Sequence, residues 1–350
     1  MMGFTDLDAR VIKERIDMTQ LWDAWIEADD LRRHSFLGSM NWESRNGRQY
    51  LYSRKGKVVK SLGPRSSATE KAFAAFTEGK RDNNDRLKTL KAEIERQASV
   101  LRVLGAGRLP VTAARTLRAL RAHGKRTGIR VVGTNALYAY EAMAGVAFNS
   151  SSTATGDIDF LIDDRNRLKL FTDEGDRTGL TRLVQAKVDR TFHSRRSGDF
   201  RLTNSHGYMI EFIRPQPTPV HRNMPGKEPL EMDDVEPAPI IGLQWLVNAP
   251  AVDVIVMDQR GHPAPMRCPD PRCWALHKAW LSEREDRTPD RRRRDRDQAS
   301  LVMRLIRDRL THLRYDKELL PGLPGELRRM IPETEPRPSS AQDFGDYIVD

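Results

Sequence analysis

The chain has 350 residues, 38% hydrophobic and 31% charged, with a formal net charge of +10. That length allows one large domain or two to three ordinary ones, and the basic balance favours polyanionic partners such as nucleotides or nucleic acid. Two cysteines, Cys268 and Cys273, argue against a disulfide framework; no apolar run approaches the ~20 residues that span a bilayer, and the mixed start has no leader-like core, so a cytoplasmic protein without a membrane partner is expected.

The first hundred residues read as an accessory region. Met18, Leu21, Trp22, Trp25 and Ile26 give Asp17 to Ala28 helical spacing. Gln49 to Ser53 and Val58 to Leu62 read as strands joined by a turn at Lys55 and Gly56. Tyr50, Tyr52, Arg54, Lys55, Lys57 and Lys60 interleave aromatics with cations there, a pattern that stacks on bases and neutralises phosphates, though it also suits an ordinary surface hairpin. Ser66 or Ser67 caps a helix with Phe73 and Phe76, and Ser67 with Glu70 has capping-box spacing. A second helix starts near Asp85 and carries Leu87, Leu90, Ile94 and Val100.

Thr112 to His123 is a helix with Ala113, Leu117 and Leu120 on one face, preceded by Pro110 and ended by Gly124 and Gly128. Ile129 to Val132 is a strand, and a helix follows Gly133. Asp157 to Ile162 is a strong strand. Arg177 to Asp189 mixes helix and loop. Phe200 to Leu202 and Tyr208 to Ile213 form a hairpin around Asn204 to Gly207, ended by Pro215, Pro217 and Pro219. A loop runs from Met224 to Pro239. Ile240 to Val247 and Val252 to Met257 read as strands, closed by Gly261, Pro263 and Pro265. From Pro271 the pattern is helical: one helix carries Trp274, Leu276, His277 and Lys278, and a second from Asp295 to Leu310 buries Leu301, Val302, Leu305 and Ile306. The end, 316–350, reads as a flexible or loosely docked tail.

The chemistry concentrates at Asp157-Ile158-Asp159. A period of two places both carboxylates on one strand face. Like charges so close need a cation, and magnesium favours a few carboxylates plus substrate phosphates. The interior character of Phe160, Leu161 and Ile162 argues against an exposed edge. Glu211, between Ile210 and Phe212, offers a third acid for a two-ion site; Asp253, between Val252 and Val254, has the same local pattern but lies farther along the chain. Gly133 lets the chain approach phosphate, and Thr134 adds a hydroxyl. Cys268 and Cys273 with His277 leave a zinc site incomplete.

Val132-Gly133-Thr134, Asp157-x-Asp159 and Glu211 resemble the nucleotidyltransferase superfamily that includes DNA polymerase β, kanamycin nucleotidyltransferase and AbiEii-type toxins. Thr134 stands where Ser is usual, and the interval from Gly133 to Asp157 is longer than usual, absorbed by an enlarged helix and loop around Gly145 and Ser150 to Thr153. A bacterial group of nucleotidyltransferase-like proteins is similar from about residue 40 to 310, at Tyr50 to Tyr52, Lys60 to Gly63, Gly133 to Glu141 and Thr155 to Asp159. The resemblance implies an α/β (α+β) fold: a short mixed sheet backed by helices over 106–265, flanked by a hairpin–helix region over 1–105 and a helical region over 266–315. It implies transfer of a nucleoside monophosphate from an NTP to an acceptor hydroxyl, with two magnesium ions, or manganese, at Asp157, Asp159 and Glu211. Lys278 then contacts the triphosphate. Asp295, beside Arg294, orients Lys278 or assists the acceptor, a role that Asp297 contests. Lys278 also suits a solvated helix face, and Asp295 an ordinary pairing with neighbouring arginines. RNA, notably tRNA, or protein is the expected acceptor. A toxin-type enzyme with an antitoxin partner, or a degenerate fold that only binds nucleotide or nucleic acid, are the rival readings.

Overall fold

In a computed structural model, residues 3–123, 128–163, 179–216, 234–313, 315 and 323–331 are described. The central sheet is mixed, as the resemblance implies. β5 (Ile129–Val132), β7 (Asp157–Ile162), β9 (Met209–Pro215) and β10 (Ala238–Ile240) lie side by side, and β8 (Arg201–Thr203) pairs with β9. β5 runs antiparallel to β7, whereas β7, β9 and β10 are parallel. Strand periodicity then sorts the side chains. Ile158, Phe160 and Ile162 join Val131 and Phe212 in the main core, together with Leu117 and Leu120 of α3 (Val111–Ala122) and Leu183 of α6 (Leu180–Lys187). Leu161 and Val132 face the other way, packing with Trp245, Leu246 and Leu276. Asp157 and Asp159 share that second face.

The long interval before β7 contains α4 (Ala136–Ala144), β6 (Val146–Phe148) and α5 (Ser150–Thr153). Its middle strand, β6, pairs with β1 (Phe4–Asp6) from the start of the chain, a link no local pattern announced. Glu141 of α4 is buried here; Arg108 Nη1 donates to it at 2.5 Å, and so does the Phe148 backbone N–H at 2.6 Å.

The N-terminal hairpin is a three-stranded sheet, because β2 (Ser39–Arg45) adds to β3 (Arg48–Lys55) and β4 (Val58–Pro64). The expected pair of helices after it is one: α2 runs unbroken from Ser67 to Val103. The residues before Asp85 serve packing instead of termination. A side chain at Gly79 would meet the Phe36 ring, and Asn83 donates to the Ala28 carbonyl at 2.9 Å, so α2 lies tightly against α1 (Ala9–His34) and the segment that follows it. The capping box is Ser66 with Thr69, and Glu70 pairs with Arg65 at 2.6 Å.

Two strand assignments change. Ile240 to Val247 is a strand only to Ile240; α7 (Gln244–Asn248) follows, and its three consecutive buried residues Trp245, Leu246 and Val247 carry no period that separates helix from strand. Pro263 and Pro265 do not close the unit but lie within β12 (Pro263–Pro269), antiparallel to β11 (Ala251–Met257). Prolines at 263, 265 and 269 occupy alternate positions, leaving the intervening N–H groups to the ladder. α8 (Pro271–Glu283) and α9 (Pro289–Asp308) form the helical region, with α9 starting earlier than expected. Within the expected tail, α10 (Gly325–Arg328) follows Leu323, and Leu323 and Leu327 are buried against the cluster that holds Leu276. Gly124, Arg177, Pro217, Pro219, the loop from Met224 to 233 and the end from 332 onward lie outside the described residues. Among the described residues, no helix is long and apolar enough to cross a membrane.

Candidate active site

Strand register assembles the acids. Parallel pairing sets Asp159 opposite Glu211 and Asp157 opposite Met209, so all three carboxylates occupy one face of two adjacent strands. On the other side of β7, Val132 pairs with Asp159, and the chain leaves β5 through Gly133 at φ 62°. That left-handed backbone suits glycine. The close approach also requires it: a β-carbon at 133 would stand 2.9 Å from the Asp159 Cγ. Asp253 is elsewhere, on the separate β11–β12 sheet, where Arg267 pairs with it at 2.6 Å.

Electrostatics at the acids is unfavourable to three negative charges. Burial first, then Asp157 and Glu211, push the Asp159 carboxyl up to about 7; Lys278 and Arg201 oppose the shift. Glu211 is engaged by Arg201, whose Nε and Nη2 stand 2.7 and 2.6 Å from Oε1. The Thr155 hydroxyl donates to Asp157. Burial, then the charge of Asp157, raises the Tyr208 phenol far above its usual range, and its oxygen is buried without a partner.

Among the described residues, no three His, Cys, Asp or Glu side chains are arranged as a ready ion-holding group. The donor set nevertheless fits a hard divalent cation at Asp157 and Asp159. Two neighbouring oxygen-donor carboxylates that repel each other match the preference of magnesium for one or two carboxylates plus substrate phosphate. Glu211 would join only by leaving Arg201. The cysteines show no such fit. Burial raises both thiols, Cys273 to about 12, and a protonated thiol is not the ligating form. His277 is pushed down to about 3 by burial, then by Lys278, and it lies 5.1 and 5.7 Å from the Trp245 and Trp280 rings.

The turn after β5 is fixed from three sides. Trp274 Nε1 donates to the Gly133 carbonyl at 3.2 Å. Gln298 Nε2 donates to Thr134 Oγ1 at 3.3 Å and to the Ser152 carbonyl at 2.9 Å. Asn135 Nδ2 donates to the Asp157 carbonyl at 2.6 Å. Lys278 and Asp295, on separate helices, meet at 2.7 Å, and both are buried. Arg287 takes the second Asp295 oxygen at 2.7 Å, and the Lys278 ammonium lies 5.4 Å from the Trp274 ring centre. Asp297 makes no ion pair with a described residue. Thus Lys278 and Asp295 act as a pair, with Arg287 as a third member.

Sequence reasoning gave no role to Arg201, Arg287 or Gln298. Arg201 was within reach: once the Asn204 to Gly207 turn fixes the hairpin, Arg201 falls opposite Glu211. Arg287 and Gln298 carry no local signal, since each meets its partner only through helix packing.

A family model described as nucleotidyltransferase matches residues 112–320, more than half of the chain and all of the positions above. No curated protein and no solved structure matches.

Proposed function

The chain belongs to the nucleotidyltransferase family, and from that premise we propose that it transfers a nucleoside monophosphate from an NTP to an acceptor hydroxyl, releasing pyrophosphate, at Asp157, Asp159 and Glu211. The observation that carries the reading is the register of β7 and β9, which puts Glu211 beside Asp159 at the foot of the Gly133 turn. Within the family, the pattern of these residues favours the DNA polymerase β and AbiEii-type branch.

The residues divide the work. The bare Gly133 turn lets Asp159 stand against the backbone at the strand end, and the Thr134 hydroxyl, steadied by Gln298, donates to a phosphate oxygen of the triphosphate. Lys278 adds a compact positive charge, held in place by Asp295. Asp157 and Asp159 would hold magnesium, or manganese, which supplies Lewis-acid stabilisation of charge on the phosphates. Glu211, through Oε2, the oxygen outside the Arg201 contact, would take the acceptor proton. The catalytic contribution is then mainly positioning and electrostatics.

Purified protein incubated with each α-labelled NTP, magnesium, and cellular RNA and protein tests this. Transfer by the wild type, and none by an Asp157→Ala, Asp159→Ala double variant, is the expected outcome. Nucleotide binding without transfer to any acceptor would overturn the catalytic reading in favour of a binding protein. Label on tRNA alone favours the toxin-type branch, for which co-purification of an antitoxin is the second check.

A further inference from the structure

The N-terminal helices form an arm with a basic tip. Near its base, Met18 and Trp22 of α1 pack with Ile94, Ala98 and Leu101 of α2 and with Met257 of β11. From Asn83 back to Ser67, α2 extends roughly 24 Å at the standard helical rise. That stretch packs on the three-stranded sheet and on the segment before it: Phe73 stands 5.9 Å from Trp42 of β2, and Phe76 stands 6.1 Å from Phe36, which precedes β2. Between Ser39 and Arg65 the chain carries seven arginines and lysines and one carboxylate, Glu43, which Arg54 already pairs with. Arg48, Lys55, Lys57 and Lys60 are exposed and pair with no described acid. Val58 and Val59, set among the lysines, are 69% and 50% exposed.

A second positive region lies at the foot of the arm. A cleft of about 540 Å³ is lined by Arg33, Arg115, Arg118, His123 and Lys187, with no carboxylate of the described residues in its walls; Arg33 and Arg118 are paired with Asp29 and Asp258 behind it, at 2.8 and 2.9 Å, so Arg115 and Lys187 carry its free charge. Arg33 comes from α1 and also donates to the Ala122 carbonyl, joining arm to core. Arg115 and Lys187 pair with no described acid. α3 and α6, which supply Arg115 and Lys187, pack on the sheet face opposite Asp157 and Asp159.

A small anion could occupy the cleft or the tip but not both. A polymer with regularly spaced phosphates can engage both, and its affinity then depends on salt through released counterions. The exposed valines and Tyr50 offer apolar surface to unpaired bases, which a duplex keeps inside its stack. We propose that the arm tip and the cleft together hold an RNA bearing unpaired nucleotides. This makes RNA the acceptor class for the transfer proposed above, and in that respect the inference rests on that reading. The two regions grip the body of the RNA, and its end enters the carboxylate face.

The test uses the full chain, a fluorescently labelled stem–loop RNA with a single-stranded tail, a blunt-ended DNA duplex, and heparin. One variant carries Lys55→Glu, Lys57→Glu and Lys60→Glu; the other carries Arg115→Glu and Lys187→Glu. Each should weaken RNA binding at least tenfold at about 100 mM salt and flatten the salt dependence, with circular dichroism unchanged. Unaltered affinity in either variant would overturn the shared surface. Equal binding of RNA, paired DNA and heparin would overturn the preference for unpaired RNA. RNA binding that survives in the Asp157→Ala, Asp159→Ala protein, with no transfer by the wild type to any acceptor, supports the surface and defeats the proposed reaction. Transfer to protein alone, with no RNA binding, does the reverse.

Discussion

Gly133 and Asp159 lie so close that a methyl group at 133 would overlap the carboxylate, its carbon 2.9 Å from Cγ. The same glycine has a positive φ of 62°. Gly133→Ala therefore carries backbone strain of about 1 kcal/mol and also displaces an acid. Activity should fall at least 100-fold, about 2.7 kcal/mol of barrier, while the circular dichroism spectrum stays native. Near wild-type turnover would show that Asp159 need not hold its position.

Arg201 engages Glu211, the third acid of the proposed reaction. Arg201→Ala should free Glu211 and remove a positive charge that lowers the Asp159 carboxyl. Divalent-cation affinity, measured by titration calorimetry, should rise several-fold over wild type. Glu211→Gln should not raise it. Equal affinity in wild type and Arg201→Ala would mean that Glu211 is not a ligand.

The buried pair of Lys278 and Asp295 should separate binding from stability. Asp295→Asn leaves Lys278 and Arg287 without their counter-ion and should cost about 3–5 kcal/mol in denaturant melts. Lys278→Met leaves Asp295 still paired with Arg287, so it should cost less stability yet raise KM for the NTP at least tenfold. An unchanged KM would remove Lys278 from the triphosphate site.

Glu141 sets a pH dependence away from the acids. Burial, opposed by Arg108 and by the Phe148 backbone N–H, raises its carboxyl from 4.5 to about 7. The folded state then binds more protons than the unfolded state between these values, so this contribution to stability is full below about pH 4.5 and lost as pH rises through about 7. Glu141→Gln should show a flatter melting temperature between pH 5 and 8 than wild type. Identical slopes would show that the group titrates normally.

Much of the site was legible because its signals are local. The strand from Asp157 to Ile162 is marked by its apolar run, the two acids fall on one face by the period of two, and the hairpin that carries Glu211 is announced by its turn residues. The single helix of α2 was not legible: the sequence reads as two helices with the second starting near Asp85, whereas Gly79 and Asn83 serve packing against Phe36 and α1 within one continuous helix. β12 was hidden by prolines whose alternate placement matters only once β11 supplies a partner.

The sequence by itself determined which residues are candidates for the proposed chemistry: the acid pair, the glycine turn, Glu211 and Lys278, all set by side-chain type and short-range spacing. The tertiary structure decided what each of them meets. It placed Glu211 rather than Asp253 across from Asp159, gave Glu211 to Arg201, joined Lys278 to Asp295 and Arg287, and hung Thr134 from Gln298. Arg201 apart, which the hairpin turn already sets opposite Glu211, those partners come from different elements, and only strand register and helix packing bring them within hydrogen-bonding distance, so no local pattern in the chain could have specified them.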